Sequence, residues 1–167
     1  MRFITFGRKN QQRIGLIGPQ DQIIDVAEIT RRYLRGGNPP YLASMQAFIE
    51  AGGKARQAAR KAEKYAAGKT PEEQKKLARA GGLLKSSQAK LLAPIPWPRK
   101  NVVMLGINYR EHVDEGARAR SLDIKYPEWP VFFTKPATSV IGHNGKVVHH
   151  KVTEKLDWEI ELAVVMG

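Results

Sequence analysis

The chain has 167 residues, with 28 Lys and Arg against 16 Asp and Glu, a formal net charge of +12 and a pI near 10.1. At 42% apolar it can bury a core, it contains no apolar run of about 18 residues that would span a bilayer, and its start, Met1 to Gly7, lacks the apolar segment of a signal peptide. The absence of cysteine excludes disulfides, thiolate metal sites and a cysteine nucleophile and fits a cytoplasmic protein, while the positive charge raises nucleic acid as a partner.

In chain order, Arg2–Phe6, Arg13–Ile17 and Gln22–Val26 are apolar-rich and β-branched, with a turn at Gly18–Asp21. Together they predict a small antiparallel meander. Residues 27–67 turn helical, interrupted by Gly36–Pro40, and Tyr41–Glu50 carries Leu42, Met45, Phe48 and Ile49 at helical spacing. Lys54–Ala67, rich in Ala, Lys and Arg, forms helix well and has little to bury. Thr70 as N-cap, Pro71 in the first turn and Glu73 at the capping-box position start a further helix, which runs through Ala80 and ends at Gly81-Gly82.

Lys54–Lys100 holds 13 Lys or Arg against three Glu. One reading is a non-enzymatic basic module that binds nucleic acid. The stretch has no recognisable binding motif or readout element, so a solvated face is the better reading. Ala93–Lys100 then places three prolines in five residues, which forbids helix and leaves a stiff extended backbone. We therefore divide the chain into a small α+β domain at 1–93, a Pro-rich linker at 94–100 and a functional domain from 101 to 167. That domain opens with a buried-type strand, Asn101–Gly106.

Beyond this strand, His112 and Glu115 are three residues apart and share a face if they lie on a helix. A carboxylate beside an imidazole orients it for proton transfer, although a plain surface pair has the same spacing. Lys135 follows the short strand Val131–Phe133, where it could hold a substrate carboxylate or simply be an exposed lysine. Val140–Val148 reads as a hairpin turned by Asn144-Gly145, and His143, His149 and His150 read as solvent residues. At Asp157–Gly167, Trp158, Ile160 and Leu162 alternate with Glu159 and Glu161, and Ala163–Met166 is apolar throughout, as in a strand buried on both faces. Two neighbouring carboxylates repel each other unless a hard cation such as Mg²⁺ joins them, or unless that face looks into water.

Three ordered blocks carry a resemblance: Gly106-x-Asn108-Tyr109-Arg110-x-His112-x-x-Glu115, Pro130-Val131-Phe132-Phe133-x-Lys135-Pro136, and Asp157-Trp158-Glu159-x-Glu161-Leu162-Ala163-Val164-Val165-x-Gly167. They resemble the fumarylacetoacetate hydrolase family. The likeness is close over Leu92–Gly167 and looser before it, where Phe48–Gly52 and the early strands are similar to the small leading domain of bacterial members. The resemblance implies a metal-dependent enzyme of 2-oxo or β-diketo acids, with C–C bond hydrolysis foremost and decarboxylation, hydration or keto–enol isomerisation as relatives of it. It implies Glu159 and Glu161 as two ligands of Mg²⁺ or Mn²⁺, with Ca²⁺ also admissible. The third ligand, an Asp roughly thirty residues further on, is expected beyond residue 167, so the chain reads as an N-terminal portion. Further implications are His112 and Glu115 as the pair that activates water or moves a proton, Lys135 in the substrate pocket, a mixed β-roll, and a homodimer.

Overall fold

Five antiparallel strands form the main sheet: β1 (Phe3–Arg8), β2 (Gln11–Ile17), β3 (Gln22–Asp25), β4 (Leu83–Lys85) and β5 (Lys90–Leu91), in the order β4-β3-β2-β1-β5. The computed structural model describes residues 1–8, 10–123 and 125–166. They divide into two units, Met1–Pro96 with Ile141–Gly167, and Trp97–Val140. The expected meander is present, with Phe3 opposite Leu16 and Leu16 opposite Ile24. The two outer strands have three and two residues, too few for a period to show in sequence.

Those outer strands curl the sheet. In a flat sheet β4 and β5 would be four spacings apart, about 19 Å. The five steps from Lys85 to Lys90 reach at most about 18 Å fully extended, and Ser86–Gln88 is a 3-10 turn, which is shorter still. The edges must therefore approach each other. Beyond β5 the proline-rich stretch stays fastened to β1: Leu92 N donates to Thr5 O at 2.9 Å, and the Thr5 hydroxyl donates to Pro94 O at 2.6 Å.

Four helices accompany this sheet: α1 (Val26–Tyr33), α2 (Met45–Glu50), α3 (Gly53–Ala67) and α4 (Pro71–Arg79). Ile14, Leu16, Ile24, Val26, Ile29, Leu42, Met45, Phe48, Leu77 and Leu83 form the core with a stripe of α3 alanines, Ala55, Ala59, Ala62 and Ala66. This corrects the expectation that Lys54–Ala67 has little to bury. Its small side chains let α3 approach α1 and β3 closely, while Arg56, Arg60, Lys61 and Lys64 stay exposed on its other faces. The capping box forms as expected: Glu73 N donates to Thr70 Oγ1 at 3.3 Å, and Thr70 N donates to Glu73 Oε2 at 2.9 Å.

The second unit is built on β6 (Val102–Gly106) and β7 (Val131–Lys135), an antiparallel pair with Met104 opposite Phe133, and on α5 (Arg110–Ala119). The buried-type reading of Asn101–Gly106 is corrected. Val103 and Leu105 are exposed because only one strand pairs with β6 and nothing among the described residues covers that face. Ala163–Met166 is likewise no buried strand: it joins no ladder among the described residues, and Val164 and Met166 are 74% and 88% exposed. A strand exists only with a partner to take its backbone hydrogen bonds, and among the described residues none is paired with this segment. The expected hairpin reduces to a turn centred one residue earlier, Gly145 N donating to Gly142 O at 2.9 Å with Asn144 at φ 57°, and its flanks do not pair. No helix among the described residues is long and apolar enough to cross a membrane. The architecture is α+β.

Two measurements test this packing. Ala59→Leu forces extra methylenes into a closed helix–sheet seam and should cost about 1–3 kcal/mol in urea denaturation, whereas Leu at exposed Ala67 should be nearly neutral. Glu73, held down to about 2 from an ordinary 4.5 by the Thr70 N–H and the Lys69 ammonium, binds its proton less readily folded than unfolded. Its contribution is complete above about pH 4.5 and fades as pH falls toward 2. Glu73→Gln keeps a capping-box side chain, and its stability profile should lack that part of the acid slope.

Candidate functional site

Gly106 ends β6, and three residues later Tyr109 caps α5 in an extended conformation. Between them Ile107 takes φ 53°, a left-handed conformation that β-branched residues avoid at a cost of about 1–3 kcal/mol. This strained turn sets the direction in which α5 leaves the sheet. Arg110–Ala119 is helical, so His112 and Glu115 share a face as the sequence implies, and both are exposed. Among the described residues no hydrogen bond or ion pair joins them.

The contacts that form lie next to that pair. Tyr126 donates its hydroxyl to Asp114 Oδ1 at 2.8 Å, and the Arg110 guanidinium sits 5.5 Å from the centre of the Tyr126 ring. The bond to Asp114 holds the Tyr126 phenol above its ordinary pKa by stabilising the protonated form. Sequence reading missed this group. Arg110 and Asp114 at helical spacing carried the only signal, because the return of Tyr126 depends on the turn after α5.

Lys135 closes β7 opposite Val102, whereas Gly106, which leads to α5, is opposite Val131. Four residues of strand separate those ends, about 13 Å. The strand pair alone therefore does not bring Lys135 to His112 and Glu115. Glu159 and Glu161 belong to the other unit, on the irregular exposed segment Asp157–Met166. Trp158 N donates there to Asp157 Oδ1 at 2.8 Å. Two carboxylates two residues apart are hard oxygen donors, the class that suits Mg²⁺ or Mn²⁺. Among the described residues no three His, Asp or Glu gather into a metal centre. His143, His149 and His150 are exposed, in keeping with solvent residues.

The basic stretch forms no single stripe. Its charges spread over α3, α4, β4 and β5, and Lys69 and Lys75 pair with Glu73 at 3.1 Å and Glu72 at 2.7 Å.

The sequence model of the fumarylacetoacetate (FAA) hydrolase C-terminal family matches residues 101–167. An oxaloacetate tautomerase of Bacillus subtilis is 37% identical over 171 residues, an alignment that takes in 100% of this chain and 52% of that protein. A mitochondrial oxaloacetate tautomerase of Homo sapiens is 40% identical over 81 residues, 48% of this chain and 24% of that protein. An uncharacterized protein of Archaeoglobus fulgidus is 38% identical over 78 residues, 47% of this chain and 28% of that protein. The chain thus spans about half the length of the Bacillus relative and about a quarter of the other two. Enzymes of this family generally depend on a divalent metal. With His112, Glu115, Lys135, Glu159 and Glu161 all inside the matched segment, the chain belongs to the fumarylacetoacetate hydrolase family.

Proposed function

We propose that this chain is part of an isomerase- or hydrolase-type enzyme of 2-oxo acids, and that keto–enol exchange of a dicarboxylic 2-oxo acid such as oxaloacetate is the reaction best supported. One observation carries the choice: the Bacillus relative that aligns along the whole chain is named an oxaloacetate tautomerase. This moves the emphasis from C–C bond hydrolysis to the isomerisation that the family resemblance also implied. We further propose the division at 1–93, 94–100 and 101–167, the mixed β-roll and a homodimer for the complete enzyme.

Keto–enol exchange removes a proton from the carbon beside the carbonyl. The C–H electron pair becomes the C=C bond, and the carbonyl oxygen gains a proton. The groups required are a base at that carbon, an acid at that oxygen, and cations for the carboxylates. His112 is the proposed base: imidazole exchanges protons readily near neutral pH. Glu115, one turn along α5, is the proposed orienting partner, holding the ring nitrogen that does not face substrate. Lys135 is proposed to pair with a substrate carboxylate. Glu159 and Glu161 would hold Mg²⁺ or Mn²⁺, which supplies Lewis-acid polarisation of the carbonyl when bound.

Two experiments on the protein expressed from its whole gene test this reading. His112→Ala should lower kcat for oxaloacetate enol–keto exchange, followed by ultraviolet absorbance, by about 10²–10⁴-fold with metal affinity unchanged. Normal turnover would return His112 to the role of a surface residue. Glu159→Gln should weaken Mn²⁺ binding in calorimetry at least about tenfold, because it replaces a charged ligand by a neutral one of the same shape. Undiminished affinity would remove Glu159 from the ligand set.

A further inference from the structure

In the leading unit five guanidiniums converge on one cleft. Arg8, Arg13, Arg31, Arg32 and Arg79 line a cavity of about 410 Å³, together with Glu28. They come from β1, β2, α1 and α4. Two carboxylates face them. Asp25 is fully buried and holds Arg13 through two hydrogen bonds, Nε to Oδ2 at 2.9 Å and Nη2 to Oδ1 at 2.8 Å. Glu28 accepts from Arg31 at 2.8 Å and from Arg32, and stands 3.5 Å from Arg13.

Five positive groups against two negative ones leave three charges uncompensated at this cavity. A buried Asp25 and a nearly buried Glu28 need partners, but Arg13 and one α1 arginine would suffice. Arg8 spends its closest bond on a backbone carbonyl, Nη1 donating to Gly81 O at 2.7 Å, and is 3.8 Å from Asp25. Its guanidinium lies where a Cβ on Gly81, at φ 81°, would come within 2.1 Å of Nη2, so the turn after α4 is shaped around it. Arg79 forms no ion pair or side-chain hydrogen bond among the described residues. Crowding like charges in a concave, partly desolvated site is unfavourable, and such a site focuses potential on whatever anion enters. Arginine forks match the paired oxygens of carboxylates and phosphates, which lysine does not. The cavity is of small-metabolite size.

We propose that this cleft binds a small, multiply charged oxyanion, phosphorylated or polycarboxylate, with Arg79 and Arg31 as contacts and Arg13 and Arg8 as the braced floor. The site belongs to the Met1–Pro96 part of the chain and uses none of the groups assigned to the 2-oxo acid reaction, so its test is independent of that assignment. The test is calorimetric titration of the chain at low salt with sodium pyrophosphate and, separately, citrate. One anion should bind saturably at one per chain, and the one preferred identifies phosphate or carboxylate as the natural headgroup. Arg79→Gln, which breaks no internal bond, should weaken that binding about tenfold, the worth of one charge-assisted contact, with an unchanged circular dichroism melt. Arg56→Gln removes the same charge from the exposed side of α3 and should leave affinity within about twofold, given screening over a Debye length. Lack of saturable binding by either anion, or equal weakening in both variants, would overturn the proposal.

Discussion

The leading unit depends on a carboxylate it cannot expose. Asp25 ends β3 and caps α1, accepting from Glu28 N at 2.9 Å, while Arg13 of β2 grips both its oxygens. Its own N–H donates to Gly82 O at 2.9 Å, which fixes the turn between α4 and β4. One buried residue therefore sets the angle between sheet and helix, the register of β2 on β3, and the place where the chain returns to the sheet. Removing Arg13 would leave a buried charge without its partner, a loss of about 3–5 kcal/mol by comparison with other broken buried pairs. Arg13 itself is held above its ordinary pKa: burial acts to lower it, and the bonds and charges of Asp25 and Glu28 outweigh burial. Burial also acts to raise Glu28, yet the bonds from Arg32 and Arg31 hold that carboxyl below its usual range.

The same unit shows what the sequence could reveal. Thr70, Pro71 and Glu73 state a helix start through local chemistry alone, and the structure contains it. β1 to β3 were legible because β-branched runs of five or so residues between turn signals have few alternatives. The alanine stripe was not legible as core. Ala is read as a helix former before it is read as a buried residue, and only the proximity of α1 and β3 gives Ala55, Ala59, Ala62 and Ala66 something to touch. The Arg cleft was equally hidden. Arg8 and Arg13 sit on neighbouring strands of one hairpin, but Arg79 is far from them in sequence and joins them only once α4 has returned beside the sheet.

In the family segment the relation is reversed. Motif spacing marked His112, Glu115, Lys135, Glu159 and Glu161, and the structure distributes them over a helix, a strand end and an irregular segment. Local structure follows where a residue's own neighbours decide it, as in α5. It departs at Ala163–Met166, because a two-faced apolar strand is a statement about partners, and no local preference substitutes for a ladder.

Exposure indicates what the chemistry still requires. Proton transfer to and from carbon is accelerated by dipoles and cations fixed in a dry site, since water both screens them and competes for the base. Here His112, Glu115, Lys135, Glu159 and Glu161 are all exposed. So are Leu105 and Phe132, at 42% and 66%, and Trp158, Ile160 and Leu162, at 76% to 83%. These apolar residues stand beside the proposed catalytic groups in sequence, Leu105 and Phe132 in one unit and Trp158, Ile160 and Leu162 in the other, and exposed apolar runs of this kind mark surface that packing partners cover. The proposed ligands and the exposed apolar residues are interleaved in sequence: Trp158, Ile160 and Leu162 alternate with Glu159 and Glu161, an order that would put the two sets on opposite faces if the segment paired as a strand. Packing of the apolar set would then fix the direction of the carboxylates, the proposed donors for Mg²⁺ or Mn²⁺.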